Sequence, residues 1–274
     1  MIGVAALLAA SVGSCPPAAP AGVVMRRAAF GGVIAPTPAD ADAALAAGRV
    51  ARAGADRFLG LDVPPFLIAP AKADPSPVTG GCAFVFAWPF TRWRPPTHVL
   101  PHEIGHALFI RYLVPRRGLD EYGGAAPDWL DEMAAIACED AAGVAMRRAE
   151  ARRHAADGAL IPLARLLSMP HPEFSARTAD NAVSRQGMRT PRSIDTPAYY
   201  ATVRALFDFL IERTGNERII AVLAGQVRAG KPLERWLVAH LSNGSGVERL
   251  ASLDIQLARF VLLNPRFGGV GAAH

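Results

Sequence analysis

His102, Glu103 and His106 have the residue types and the spacing that hydrolytic metal chemistry requires. They form the pattern H-E-x-x-H, and residues four apart on a helix lie on one face, so that both imidazoles can bind one metal ion. Zinc suits this donor set because it accepts nitrogen and oxygen ligands in tetrahedral geometry. Glu103 would then take the proton of a water molecule that zinc has acidified, and would deliver it to the leaving group.

The context of this pattern favours a functional site over coincidence. Chance alone would produce H-E-x-x-H in a chain of this length with odds of about one in 150. The pattern also lies in a strongly helical stretch that follows a strand-like run. The alternative is a surface helix whose histidines are incidental. His98 lies one turn earlier, but we interpret it as a rim or capping residue, because each turn rises about 5.4 Å and one ion cannot bridge three turns.

A third metal ligand is indicated by a second motif. A catalytic zinc ion needs three protein ligands and one open position. The run Trp-Leu-Asp-Glu-Met-Ala at residues 129–134 resembles the W-L-x-E-G-x-A signature of gluzincin metallopeptidases, the aminopeptidase-like and peptidase MA-like group. In that family the glutamate is the third zinc ligand, on a second helix antiparallel to the first. The resemblance therefore implies that Glu132 is the third ligand here. It covers roughly residues 60–260, and only the two metal motifs are specific.

The chain departs from the family pattern at three points. Met133 replaces the usual glycine and could narrow the space beside the metal. Ile136 occupies the place of an aspartate found in thermolysin-like enzymes, so the groups behind the ligands must differ. Glu139 is a weak candidate for such a group, and we favour a solvated helix residue instead. The interval from His106 to Glu132 is also longer than in aminopeptidases, which a loop insertion tolerates.

The resemblance also implies a tyrosine that steadies the oxyanion of amide hydrolysis. Tyr200 is the first choice and Tyr199 the second, because both lie near the start of a helix similar to the one that follows the metal site in the family. The alternative is that both tyrosines pack the helix onto the core. His171, in the run Met-Pro-His-Pro, could line the cleft, but a structural loop histidine is the favoured interpretation.

The punctuation of the sequence predicts a small β-containing part followed by helices. Glycine, proline and capping residues mark the boundaries. The predicted helices cover 38–59, 97–114, 128–153 and, in the last third, 196–214, 216–229, 232–242 and 247–263; the predicted strands cover 65–69 and 82–88, with a further candidate in 23–34. A Pro-punctuated polar stretch separates the middle helices from the last ones, over 157–195.

These elements predict an α+β chain, and the resemblance implies a zincin-like fold. After a leader over 1–21, a single domain is expected over 22–270. It would consist of a β-containing part (22–96), the zinc-site helices (97–153) and a helical C-terminal part (154–270). The strand over 82–88 is expected to border the cleft above the histidine helix, where a peptide could add to its edge.

Composition excludes some partners. The chain has 274 residues, of which 51% are hydrophobic, and a net charge of +5. Nearly all of the positive charge is arginine spread along the chain, without the basic stripe and interleaved aromatic residues of a nucleic-acid interface. We therefore expect no nucleic-acid partner, and the arginine and alanine bias is typical of a GC-rich bacterial gene.

The N-terminal residues favour export. The apolar run over 2–12 is too short to span a bilayer and fits the core of a secretory signal, although no basic residue precedes Arg26. Cleavage near Ala19 to Ala21 and a lipid anchor on Cys15 are both open, as is a frayed N-terminus. Cys82 and Cys138 could pair in an oxidising compartment, or both could be buried free thiols.

Together these features predict an exported zinc metallopeptidase that acts on a peptide or protein substrate. His102, His106 and Glu132 would hold Zn²⁺, Glu103 would be the acid and base, and Tyr200 would assist the oxyanion. The alternative is an exported, non-catalytic metal-binding or scaffold protein that retains the fold. A third possibility, a zinc hydrolase of a non-peptide amide, has the same sequence features.

Overall fold

The computed structural model describes residues 15, 22–70, 82–90, 98–115, 125–172, 195–241 and 249–268. The chain divides into two compact units. The first, here called the sheet unit, comprises Met1–Arg49 and Val63–Arg94, and the second, the helical unit, comprises Val50–Asp62 and Pro95–His274. The division falls within the first helix, α1 (Pro38–Gly54), which continues into a π-helical turn over Ala55–Leu59.

The sheet unit contains four strands in the order β1-β2-β3-β4. They are β1 (Val24–Ala28), β2 (Gly31–Ala35), β3 (Phe66–Pro70) and β4 (Val85–Trp88). β1 and β2 form an antiparallel hairpin, whereas β2, β3 and β4 are parallel. The hairpin requires glycine at position 31, where φ is +126° and a Cβ would lie 2.0 Å from the carbonyl oxygen of Phe66.

The disulfide of the sheet unit joins Cys15 to Cys82. Cys138 is a free thiol buried in the helical unit, where burial raises its pKa to about 12. The two pairing states expected from the sequence are therefore both wrong, since Cys82 pairs with Cys15 and only Cys138 is a buried free thiol. A sequence that offers three cysteines does not reveal which two are neighbours in space.

The helical unit carries the remaining described helices. They are α2 (Val99–Leu108), which continues into a π-helical turn over Phe109–Leu113, α3 (Asp128–Ala137), α4 (Ala141–Ala156), α5 (Leu163–Leu166), α6 (Asp195–Thr214), α7 (Ile219–Arg228), α8 (Leu233–Leu241) and α9 (Arg249–Leu263), with a 3₁₀ turn over Pro265–Phe267. The core of this unit lies where α6 packs against α3 and α4, and the central residues of α6 are buried.

The long helix predicted over 128–153 is wrong, because the structure breaks it into α3 and α4. Asp140 caps the start of α4, where its carboxylate accepts a hydrogen bond from the backbone N–H of Gly143 at 2.8 Å. A capping aspartate satisfies N–H groups that a new helix would otherwise leave unpaired. Cys138 and Glu139, which lie at the break, are both buried.

The mixed α+β character predicted from the sequence is confirmed, with a small four-stranded sheet and a mostly helical remainder. The helices predicted over 38–59 and 97–114, the strands over 65–69 and 82–88 and the C-terminal helices all appear, with boundaries shifted by a few residues, whereas the single strand suggested in 23–34 is the two-stranded hairpin of β1 and β2. None of the helices in the described ranges is both long enough and apolar enough to cross a bilayer. The single domain and the cleft beside β4 stay predictions.

Candidate metal centre

The two motif-bearing helices, α2 and α3, approach each other closely at Gly105. A Cβ at this position would lie 2.8 Å from the Cα of Ala135 and 3.2 Å from the carbonyl oxygen of Ala134. Only glycine permits this approach, because a methyl group would have to displace backbone. The close crossing brings the histidine face of α2 against the acidic start of α3, where Asp128 and Asp131 are favoured by the helix dipole.

His102, His106 and Glu132 form a cluster that could hold a metal ion, since one ligand atom from each lies within 4.8 Å of the others. The Nε2 atom of His102 lies 3.2 Å from Oε1 of Glu132. The Nε2 atom of His106 lies 3.6 Å from Oε2 of the same carboxylate. Glu132 is only 1% exposed. The short distances confirm the sequence prediction that these three side chains converge.

Each imidazole of the cluster is oriented by a second carboxylate on its other nitrogen. Nδ1 of His102 lies 2.9 Å from Oε1 of Glu139, and Nδ1 of His106 lies 3.1 Å from Oδ1 of Asp131. Glu139 accepts a hydrogen bond from Nδ1–H of His102, which leaves the Nε2 lone pair available to a metal, and Asp131 lies at ion-pair distance from Nδ1 of His106. Both Nε2 atoms therefore face Glu132 as potential ligands.

Glu139 is a buried partner of the centre, which corrects its interpretation as a solvated helix residue. It is 6% exposed and follows the end of α3, seven residues after Glu132. Arg147 donates to the same Oε1 atom from Nη2 at 3.0 Å and from Nε at 3.2 Å. Burial alone would raise the pKa of Glu139, but His102 and Arg147 lower it below its usual value. Glu139 thus places a carboxylate behind His102, a role for which position 136, occupied by Ile136, has no suitable side chain.

His171 is a further member of the centre, although the sequence favoured a structural loop residue. It is 1% exposed, and its Nε2 atom lies 3.2 Å from Oε2 of Glu132. Its backbone N–H donates to Oδ2 of Asp128 at 2.6 Å, which anchors the loop to the first turn of α3. No local signal in the sequence indicated that His171 joins the centre, because its hydrogen-bond partner Asp128 is 43 residues away along the chain.

The electrostatics of the centre favour positive charge. Burial would lower the pKa of His106, but Asp131, Glu132 and Glu103 together raise it to about 10. Burial would raise the pKa of Glu132, but the three neighbouring histidines lower it to about 2. Buried carboxylates are stable only when a cation or several donors compensate them, and these opposing shifts show that the histidines and carboxylates of the centre stabilise one another's charges.

Glu103 lies on the same helix as the two histidines but on its exposed side. Within the described residues it has neither a hydrogen-bond nor an ion-pair partner, so its carboxylate is available to accept a proton. Its charge contributes to the raised pKa of His106, which places it near the cluster.

The two candidate tyrosines differ in position. Tyr200 is half-buried, and its ring centroid lies 6.1 Å from that of His102 and 5.8 Å from that of His171. The guanidinium of Arg147 lies 4.2 Å from the centroid of the same ring. Tyr199 is fully buried, and burial together with nearby carboxylates raises the pKa of its hydroxyl. Tyr200 is thus the tyrosine beside the candidate ligands that solvent can reach.

The remaining residues named from the sequence, His98, Met133 and Ile136, pack within or between the helices. His98 precedes α2, where its carbonyl accepts the backbone N–H of His102 at 3.1 Å. Its Cβ would lie 2.6 Å from a Cβ at Gly143, so this glycine allows α2 and α4 to meet. Met133 and Ile136 are both fully buried in α3.

Comparison with known proteins gives no match: no family model, no curated protein and no solved structure matches this chain.

Proposed function

We propose that this protein is a zinc-dependent hydrolase of the gluzincin kind, with a zincin-like fold, that cleaves peptide bonds. The observation that carries the proposal is the environment of Glu132. This buried carboxylate has no hydrogen-bond donor of acceptable geometry among the described residues, and it faces three imidazole nitrogens at 3.2, 3.2 and 3.6 Å. A bound cation between the carboxylate and the imidazoles would offset the cost of burying its charge.

The donor set fits zinc. Two nitrogen or oxygen ligands at the usual zinc distances of about 2.0–2.1 Å, placed at a tetrahedral angle, lie about 3.3 Å apart. The separations of 3.2 Å from His102 to Oε1 and 3.6 Å from His106 to Oε2 are close to this value, although they involve different oxygens of Glu132, and the three ligand atoms lie within 4.8 Å of one another. The carboxylates behind His102 and His106 have the geometry expected behind a zinc-binding imidazole.

In the proposed reaction, zinc would supply a Lewis acid that makes water a nucleophile near neutral pH. The carboxylate of Glu103 accepts the proton from the attacking water and passes it to the nitrogen of the leaving amine. The hydroxyl of Tyr200 donates to the oxygen that gains negative charge as the carbonyl carbon becomes tetrahedral. Glu139 and Asp131 hold the two imidazoles in place throughout.

Export remains part of the proposal. The Cys15–Cys82 disulfide supports it, because disulfides persist in oxidising compartments. The disulfide excludes both a lipid anchor on Cys15 and cleavage near Ala21, so export is proposed with Cys15 retained and paired to Cys82. A peptide or protein substrate that adds to a strand edge is proposed on the resemblance of the two motifs to gluzincins.

A second candidate function is favoured by the position of His171. If this histidine bound the ion as well, the site would have four protein ligands and no open position, which is typical of structural zinc. The protein would then be a non-catalytic, exported metal-binding protein. Cobalt substitution distinguishes the two functions, since replacing a ligand changes the visible spectrum of bound Co²⁺. We expect His171→Gln to leave that spectrum unchanged, and a changed spectrum would favour the second function.

The hydrolase is tested by metal analysis together with a peptide-library cleavage assay on the purified protein and on Glu103→Gln. We expect stoichiometric zinc in both, with cleavage only by the wild type, because Glu103 is the proton acceptor but not a ligand. Glu234→Gln, an exposed carboxylate on α8, serves as the matched control and should cleave normally. Undiminished cleavage by Glu103→Gln would contradict the mechanism.

A further inference from the structure

A cavity of about 630 Å³ lies in the helical unit, and its lining includes Glu139 but none of the three candidate ligands, together with residues of α4, α6 and the 3₁₀ turn over 265–267. Its size is within the range of about 300–1,000 Å³ that small-molecule sites occupy. Four guanidinium groups and three carboxylates line it, together with Phe58 and Phe267; the charged residues are Arg57, Arg148, Arg204, Arg266, Glu139, Asp208 and Glu217.

Two of the three carboxylates already have cationic or hydrogen-bonding partners of their own. Glu217 forms an exposed ion pair with Arg57, with Nε and Oε2 3.1 Å apart. Glu139 receives the hydrogen bonds of His102 and Arg147 on its Oε1 atom, so its charge is compensated within the metal centre. Only Asp208 remains to balance the other guanidinium groups of the cavity.

Asp208 is shared by two guanidinium groups at once. Arg148 donates to its two oxygens at 2.8 and 3.0 Å, and Arg204 donates to the same two oxygens from Nε, at 3.0 Å, and from Nη2. A guanidinium carries five N–H donors, so each arginine retains three after its two bonds to Asp208. Arg204 is only 4% exposed, and this pair of cations with one anion leaves a surplus positive charge inside the protein.

Arg204 is close to a second cation in a buried setting. Burial lowers its pKa most strongly and the nearby charge of Arg148 lowers it further, whereas Asp208 and Glu139 oppose these shifts. Arg266 adds a third cation whose side chain is exposed and has no partner in the described part of the chain. It adjoins Phe267, whose ring centroid lies 5.9 Å from the guanidinium carbon of Arg148.

We propose that Arg148, Arg204 and Arg266 bind a multivalent oxyanion in this cavity, either a phosphate group or a di- or tricarboxylate. The planar fork of a guanidinium matches the paired oxygens of both kinds of anion, and the donors left over from Asp208 would be satisfied by them. Phe58 and Phe267 provide an apolar wall for an organic part of the ligand. This site is independent of the hydrolase proposal, because none of the three arginines is a candidate ligand or catalytic group.

Isothermal titration with inorganic phosphate and, separately, with succinate tests the site at constant pH and ionic strength. The wild type should bind at least one of the two anions saturably at one per chain, and the one that binds identifies the ligand as phosphate or carboxylate. Arg266→Gln and Arg148→Gln should each weaken binding about tenfold or more, as expected when a charged donor is lost. Arg235→Gln removes the same charge from an exposed position on α8 outside the cavity and should bind like the wild type.

Arg266 is exposed and forms no described side-chain contact, so its variant should fold normally, which far-UV circular dichroism checks. The titration is repeated with Glu132→Gln protein, because phosphate could also bind a metal ion at the candidate centre. Binding that persists in Glu132→Gln supports the cavity site. The proposal is overturned if neither anion binds the wild type saturably, if binding is lost with Glu132→Gln, or if the cavity variants bind like Arg235→Gln.

Discussion

At the scale of residues, the centre consists of ligands that a motif reveals and supporting groups that it does not. His102 and His106 could be predicted from their spacing on one helix, and Glu132 from the resemblance of its surrounding run to a known third-ligand motif. Glu139 and His171 could not be predicted in the same way. They reach the centre across 37 and 43 residues of chain, and such contacts leave no local pattern.

The support that Glu139 gives to His102 can be measured as zinc affinity. Glu139→Gln keeps an acceptor for Nδ1 of His102 but removes the negative charge, so the imidazole becomes a weaker donor to the metal. We expect the dissociation constant for zinc to rise by about 10- to 100-fold, measured by competition with a chromophoric chelator. Glu234→Gln is the control, and an equal affinity in the two variants would show that Glu139 does not support the centre.

At the scale of elements, the sequence predicted most helices and strands but missed the break at residues 138–140. Apolar periodicity continues across the break, and the capping role of Asp140 depends on a hydrogen bond to Gly143 that the pattern does not show. Glu139 lies seven residues after Glu132, which puts both on one helix face, and burial of that face is what the interpretation of Glu139 as a solvated residue missed. The disulfide was missed because its partners are 67 residues apart.

The close crossing of α2 and α3 predicts a large effect of a small substitution. In Gly105→Ala, the added methyl group would lie 2.8 Å from backbone of α3, so the two helices must separate. We expect the free energy of unfolding to fall by about 1–3 kcal/mol and zinc binding to weaken, because Glu132 moves away from the histidines. Urea denaturation and a zinc titration measure the two effects.

Gly225→Ala is the matched control for Gly105→Ala. Gly225 lies within α7, where a Cβ would meet only the end of the Arg228 side chain at 3.9 Å. Alanine there should stabilise the protein by about 0.5–1 kcal/mol, because the helix propensity improves without a clash. If Gly105→Ala behaved like Gly225→Ala, the two helices would not be packed as closely as the structure indicates.

At the scale of the whole molecule, the metal centre and the disulfide belong to different units. All candidate ligands and their supporting carboxylates lie in the helical unit, whereas Cys15 and Cys82 lie in the sheet unit. The sequence predicted the α+β composition of the whole because strands and helices are local. It could not reveal the division into two units, because α1 is continuous across the boundary.

The disulfide predicts a stability effect that leaves the metal centre intact. Closing a separation of 67 residues should stabilise the protein by about 4 kcal/mol in the chain-entropy model, and the Cys15→Ser, Cys82→Ser double variant should lose this amount. Its zinc affinity should equal that of the wild type. Peptide mapping without reduction should recover Cys15 linked to Cys82, and recovery of Cys82 linked to Cys138 would contradict this pairing.

The central claim is that Glu132 completes a zinc centre with His102 and His106. The most direct test is the zinc content of wild type and of Glu132→Gln after dialysis against a defined low concentration of free zinc, measured by mass spectrometry of the metal. We expect one zinc ion per chain in the wild type and a loss of most of it in Glu132→Gln, because a neutral amide is a poor zinc ligand. A wild-type protein without zinc, or a variant that retains it fully, would show that Glu132 is not a zinc ligand.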